Sequence, residues 1–240
     1  ILTLSLCFLF FESIALDNIN KNKKTIINSV ESHKDRLIEI SDNIWEAAEP
    51  ALLEFKSSKY LSDYAEENGF RVTLGVADIP TAFIAEYGSG RPIIGIMGEF
   101  DANPGISQKK QPIKEPLIKG AAGHGCGHNL FGTASLGAAI AIKEMIEAGE
   151  ISGTVRFYGT PAEETIFAKV WMVRAGLFDD LDVCMDWHPG DEIEASTQSS
   201  KALVDFRLKF YGDAAHASGD PWNGNSAVDA MELYTTGLNY

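Results

Sequence analysis

Between Gly120 and Gly132 the chain reads GAAGHGCGHNLFG, with five glycines, two histidines and a cysteine set directly before a helix-forming run. Glycine at 123, 125 and 127 frees the backbone to turn tightly, so the Cys126 thiol and the His128 imidazole can face one point. The run from Asn129 to Glu147 has the alanine, leucine and isoleucine content of a buried helix, and its unpaired N-terminal N–H groups would face that same point. A thiolate is favoured there, and a neutral imidazole over a charged one. The stretch reads either as a loop that grips a metal ion or as a glycine-rich turn around a buried thiol, and the rest of the chain has to decide.

Upstream, apolar residues from Thr25 to Ala48 keep helical spacing with charges between them, which predicts an amphipathic helix ended near Pro50. His33 lies among those charges and is expected to be solvated. A second helix is expected over Ser57 to Asn68, with Gly69 just past its end. Phe70 to Leu74, Thr81 to Tyr87 and Pro92 to Gly98 have strand character, and the Gly-Ser-Gly turn between the last two predicts that they pair. Asn103 to Pro116 reads as a loop. After the helix that follows the glycine motif come a strand at Thr154 to Tyr158, a helix near Phe167 to Ala175 and a strand at Asp182 to Trp187. This order of strand, helix, strand, helix, strand predicts an α/β fold with a mostly parallel sheet and flanking helices.

In open sheets of this kind a ligand site lies outside the carboxyl ends of the strands. Three successive strands here end in Glu99 and Asp101, in Glu163 and Glu164, and in His188, while Cys126 and His128 open the helix after the first of them. A cysteine, two histidines and up to four carboxylates at one sheet edge favour a metal site over solvated loops. Neighbouring side chains in an extended segment point opposite ways, so Glu163 and Glu164 are expected to divide two roles, one binding metal and one facing substrate as a general base. Soft thiolate and imidazole suit zinc, and the carboxylates also suit manganese.

Beyond Ala195 the pattern changes to an alternating strand, Ala202 to Tyr211, a small-residue loop holding His216, and a helix from about Ser226. This predicts a catalytic domain over residues 16–195 and the start of a second domain over 196–240. His216 has little apolar surface to pack on and serves either function or a capping role.

The formal charge of -14 argues against a nucleic-acid partner. Residues 1–15, ILTLSLCFLFFESIA, are too short an apolar run to span a bilayer and end in small residues at Ser13 and Ala15. They read as an incomplete signal peptide cut after Ala15, which predicts export to a periplasmic or extracellular location without a stable membrane anchor; failing that, the protein is cytoplasmic. Cleavage would remove Cys7 and leave Cys126 and Cys184, which is no disulfide framework.

Taken in order, GEFDANPG, GHGCGHNLFGTA, GTPAEE, VRAGLFDD, DWHPGD, AAHA and NSAVDAMELYTTGLNY make the chain resemble the zinc-dependent aminoacylase and carboxypeptidase family of metallopeptidases, in its amidohydrolase branch. The resemblance implies two divalent metal ions, zinc or manganese, bridged by Cys126 and further held by His128, Glu164 and His188. It implies Glu163 as the base that activates the shared water, Asp101 as the group that orients a ligand, and His216 as a donor that reaches the scissile carbonyl from a neighbouring protomer. The second domain would then be a ferredoxin-like lid that forms a homodimer or heteromer. Where some relatives carry a metal-binding His, this chain has Glu99, which is left off the ligand set. TIFAKV after the paired glutamates, and Asn225 where Arg is common, depart from close relatives and bear on substrate choice.

The implied activity is hydrolysis of an amide bond next to a free carboxylate, as in an N-acyl amino acid, a dipeptide or p-aminobenzoyl-glutamate. The competing reading is a non-catalytic metal-binding or partner subunit of a heteromeric hydrolase. A redox role for Cys126 is disfavoured by the absence of a CxxC partner. The resemblance also implies a continuation carrying the remaining lid strands and one more metal-ligating His, so the chain is expected to be an N-terminal fragment of a longer enzyme.

Overall fold

The computed structural model describes residues 2–195, 199 and 201–240, with side chains from residue 21 onward. They divide into two compact units, one ending at Asp191 and one beginning at Glu192. The boundary expected after Ala195 runs into residues 196–198, which lie outside the described residues.

The first unit begins with helix α1, Leu2–Ala47, which extends much further back than the helix expected from Thr25. No proline or glycine interrupts residues 2–47, so nothing local ends the helix earlier. Leu37, Ile40 and Ile44, at helical spacing, are its buried stripe. Among the described residues no helix is long and apolar enough to cross a membrane. Helix α2, Phe55–Glu67, packs beside α1. His33 of α1 is not solvated as expected. Its Nδ1 lies 2.6 Å from the Tyr64 hydroxyl on α2, and its Nε2 lies 2.9 Å from Glu144 on a third helix. The charges beside it in sequence say nothing of the partners that neighbouring helices bring.

Strands β1 (Arg71–Leu74), β2 (Phe83–Ser89), β3 (Ile93–Gly98), β4 (Gly153–Gly159) and β5 (Val183–Met185) form one sheet in the order β1-β2-β4-β3-β5. The pairing expected between β2 and β3 does not form. Helix α3, His128–Glu147, returns the chain so that β4 enters between them, antiparallel to β2 and parallel to β3. Almost continuously buried, β4 takes the central position, where both its faces and both its edges are covered. Strands β1, β4, β3 and β5 run in one direction and β2 alone runs against them, so the sheet is mostly parallel in direction, with β2 making antiparallel pairs on both its sides.

Pleating sorts the side chains into two cores. Ala85, Ile96 and Phe157 face α1, α2 and α3, whereas Ile84, Met97 and Tyr158 face the opposite layer, which includes α5, Ala168–Arg174. Register then sets the functional edge. Gly98 is paired with Gly159, and the Thr160 N–H donates to the Gly98 carbonyl at 2.9 Å, so β3 and β4 end together. A Cβ on Gly132 would lie 2.5 Å from the Glu99 carbonyl oxygen, and its absence lets the first turns of α3 rest on that strand end.

The second unit holds a bridge between Asp213 and Asn225 and helix α6, Ala227–Leu238, whose N-cap Ser226 accepts the Asp229 N–H. The strand expected over Ala202 to Tyr211 does not form. Alternation alone does not make a strand, and these residues have no ladder partner among the described residues.

Candidate metal centre

His128 is the first residue of α3, follows Gly127 in a left-handed conformation, and is 1% exposed. Its Nδ1 lies 3.0 Å from Asp101 Oδ1, and an acceptor there fixes a proton on Nδ1 and turns Nε2 inward. That nitrogen lies 2.8 Å from Glu99 Oε2 and 3.8 Å from Glu164 Oε1. These three atoms are buried, and none makes a well-directed hydrogen bond. Orphaned polar atoms facing one point are what a cation would satisfy.

Electrostatics point the same way. Burial works against a charged imidazole, yet the neighbouring Asp101 and Glu99 carboxylates override it and hold His128 up at about 10. The pocket is built for positive charge. Burial also opposes ionisation of Glu99, but His128 and Lys169 outweigh it and keep this carboxyl below its ordinary range. Glu163 is pushed up, first by burial and then by the neighbouring Glu99 and Glu164 carboxylates.

The glycine loop brings in the other donors. Asn103 Oδ1 accepts the Gly125 and Cys126 N–H groups at 3.0 and 3.1 Å, which fixes the turn bearing the thiol. The Cys126 thiol is pushed up, first by its hydrogen bond to Glu164 and then by burial. His188 uses Nδ1 to donate to the Pro189 carbonyl at 2.9 Å, which leaves its Nε2 free as a ligand atom. Its ring lies 5.7 Å from that of His128. Ligand atoms of Cys126, His128 and His188 fall within 4.8 Å of one another, as do those of Glu99, His128 and Glu163. A thiolate, two imidazoles and several carboxylates around a shared histidine suit divalent ions of the zinc type. His124, the other imidazole of the glycine motif, turns away and donates to the Ile44 carbonyl at 3.1 Å.

The paired glutamates are not on an extended segment, as their sequence had implied. Glu163 and Glu164 open the single helical turn α4, Glu163–Ile166, after Ala162 at φ 58°. Adjacent residues on a helix are about 100° apart, so the two carboxylates still diverge. The Glu164 N–H donates to Asp101 Oδ2 at 2.9 Å, so Asp101 touches the backbone of one candidate ligand and the ring of another. The sequence alone assigns no role to three neighbours of the site: Asn103, Lys169, which forms an ion pair with Glu99, and Glu54, which accepts the Ala162 N–H at 2.9 Å.

Of the expected site residues, Cys126, His128, Glu163, Glu164 and His188 meet in the first unit. His216 belongs to the second. There its Nδ1 accepts the Ser218 and Gly219 N–H groups at 3.2 and 3.0 Å, which places its proton on Nε2 as a free donor.

Residues 95–232 match peptidase family M20/M25/M40. The chain is 44% identical over 220 residues to one of the subunits of Escherichia coli p-aminobenzoyl-glutamate hydrolase, an alignment covering 90% of this chain and 45% of that protein. It is 31% identical over 229 residues to a mouse Xaa-Arg dipeptidase, covering 90% of this chain and 49% of that one. Among solved structures, a Bacillus subtilis dinuclear metal-binding peptidase of the M20 family superposes with a TM-score of 0.55 at 26% identity, covering 64% of this chain and 42% of that one. The chain thus spans about half the length of the curated relatives it matches.

Proposed function

This chain belongs to peptidase family M20/M25/M40, and on that premise we propose that it carries the catalytic centre of a metal-dependent amidohydrolase. The bond cleaved is an amide next to a free carboxylate, in p-aminobenzoyl-glutamate, an N-acyl amino acid or a dipeptide. The observation that carries this reading is the cluster of orphaned, buried polar atoms on His128, Glu99 and Glu164, beside the Cys126 thiol and His188.

Cys126, His128, Glu164 and His188 would hold the divalent ions. Such ions, when bound, supply Lewis-acid activation of water and of the scissile carbonyl. The chain's own groups do the rest. Asp101 keeps the His128 proton on Nδ1 and so presents Nε2 as a ligand. Glu163, its carboxyl pushed up by burial, takes the proton from the attacking water and passes it to the leaving amine. His216, with its proton on Nε2, would serve as the donor to the carbonyl oxygen from a neighbouring protomer.

The second reading, a non-catalytic partner subunit, is favoured by the fact that the E. coli relative is named as one component of a hydrolase with more than one kind of chain. Metal analysis of the full-length protein, alone and mixed with any copurifying chain, tests both. It is paired with turnover of acyl amino acids, dipeptides and p-aminobenzoyl-glutamate, with and without chelator. Chelator-sensitive turnover by the protein alone supports the catalytic reading, and bound metal without turnover until a partner is added supports the other.

A further inference from the structure

Glu54 is fully buried, and among the described residues it has no cationic partner. A buried carboxyl is costly unless its oxygens are satisfied. Here one accepts the Thr81 hydroxyl at 3.0 Å and the other the Ala162 N–H at 2.9 Å. The second bond matters most, because Ala162 immediately precedes the paired glutamates and holds a left-handed conformation, φ 58° and ψ 35°. A residue with a Cβ is strained in that conformation and needs outside contacts to stay there.

The segment bearing Glu54 is itself anchored at the neighbouring strand end. Pro50 bridges to Ala102, and the Ala102 N–H donates to the Glu49 carbonyl at 2.9 Å, directly after Asp101. The Glu49 carboxylate accepts the Lys56 and Ser57 N–H groups at 3.1 and 2.9 Å, which ties the same segment to the start of α2. Residues 49–54 therefore clamp the chain beside Asp101 and beside Glu163 at once.

We propose that Glu54 is a positioning residue for the hydrolysis, setting the turn at Ala162 that aims Glu163 and Glu164 into the metal centre. The proposal rests on the roles assigned to those glutamates above. Burial pushes the Glu54 carboxyl up to about 7, in keeping with a group retained for its bonds rather than its charge.

The test compares Glu54→Ala, Glu54→Asp and Glu54→Gln in the full-length protein, reading kcat and KM together with the Zn2+ dissociation constant measured against a competing chelator. Displacement of catalytic groups by about an ångström costs on the order of 100-fold in rate, and loss of a group supporting a ligand costs about 10- to 100-fold in metal affinity. Glu54→Ala is expected to lose kcat and Zn2+ affinity on that scale with KM little changed. Glu54→Asp, whose carboxylate is one methylene too short to reach Ala162, is expected to do the same and serves if the alanine variant fails to fold. Glu54→Gln keeps an acceptor for Ala162 and is expected to stay close to wild type in both readouts. Wild-type kcat and Zn2+ affinity in Glu54→Asp would overturn the proposal, and so would a Glu54→Gln variant as impaired as Glu54→Ala. A wild-type protein with neither bound metal nor chelator-sensitive turnover would overturn the reading of the site, and this proposal with it.

Discussion

Asp101 and His128 are joined through Oδ1 and Nδ1 at 3.0 Å, both nearly inaccessible to solvent, at the junction of a strand end and a helix start. The second oxygen of Asp101 accepts the Glu164 N–H at 2.9 Å. One carboxylate thus orients two candidate ligands. Asp101→Ala is expected to weaken metal binding by about 10- to 100-fold, the usual effect of losing such a support. The measurement is a Zn2+ competition titration, and an unchanged dissociation constant would remove Asp101 from the site's support.

Glu163→Gln should keep its metal and lose about two to four orders of magnitude in kcat, because the amide cannot accept a proton. Metal content and turnover are measured on the same sample. Loss of metal would exchange the roles of Glu163 and Glu164.

Lys169 is the cation paired with Glu99, whose side chain is 7% exposed. Removing one partner of a buried pair costs about 3–5 kcal/mol, because the other charge is left uncompensated. Lys169→Met is expected to lower the unfolding free energy of the metal-free protein by less than that, because the His128 ring, 2.8 Å away, still faces Glu99, with Glu99→Gln restoring part of the loss in the double variant. Urea denaturation of the four proteins gives the coupling, and additive effects would show that the pair does not matter to stability.

Glu54 predicts a pH dependence of stability. Its folded-state carboxyl is held up at about 7 by burial, above the ordinary carboxylate value. The folded protein therefore binds a proton that the unfolded chain has released between about pH 4.5 and 7, and the contribution of this group to stability falls as pH rises through that window. Glu54→Gln abolishes the effect. The stability of that variant relative to wild type should rise by roughly 2–3 kcal/mol between pH 5 and pH 8. A difference that is flat with pH would mean that Glu54 ionises normally.

The order of helices and strands was legible because each is a periodic run bounded by glycine or proline, and the donors at 99, 101, 126, 128, 163, 164 and 188 were legible because they stand where those runs end. Which strands become neighbours was not. The turn between β2 and β3 predicted a hairpin, and only the burial of β4 between them decided otherwise. Residues 202–211 alternate like a strand, but strand formation depends on a ladder partner that a sequence window cannot supply.

The sequence by itself determined the donor types and the sheet edge they occupy, since both follow from local pattern. The tertiary structure alone decided what holds those donors in place: Glu54 against Ala162, Lys169 against Glu99 and Asn103 against the Cys126 loop. These contacts join residues 22 to 108 positions apart. They arise where packing brings separate elements together and a buried polar group must find a partner, and no periodicity along the chain encodes such a meeting.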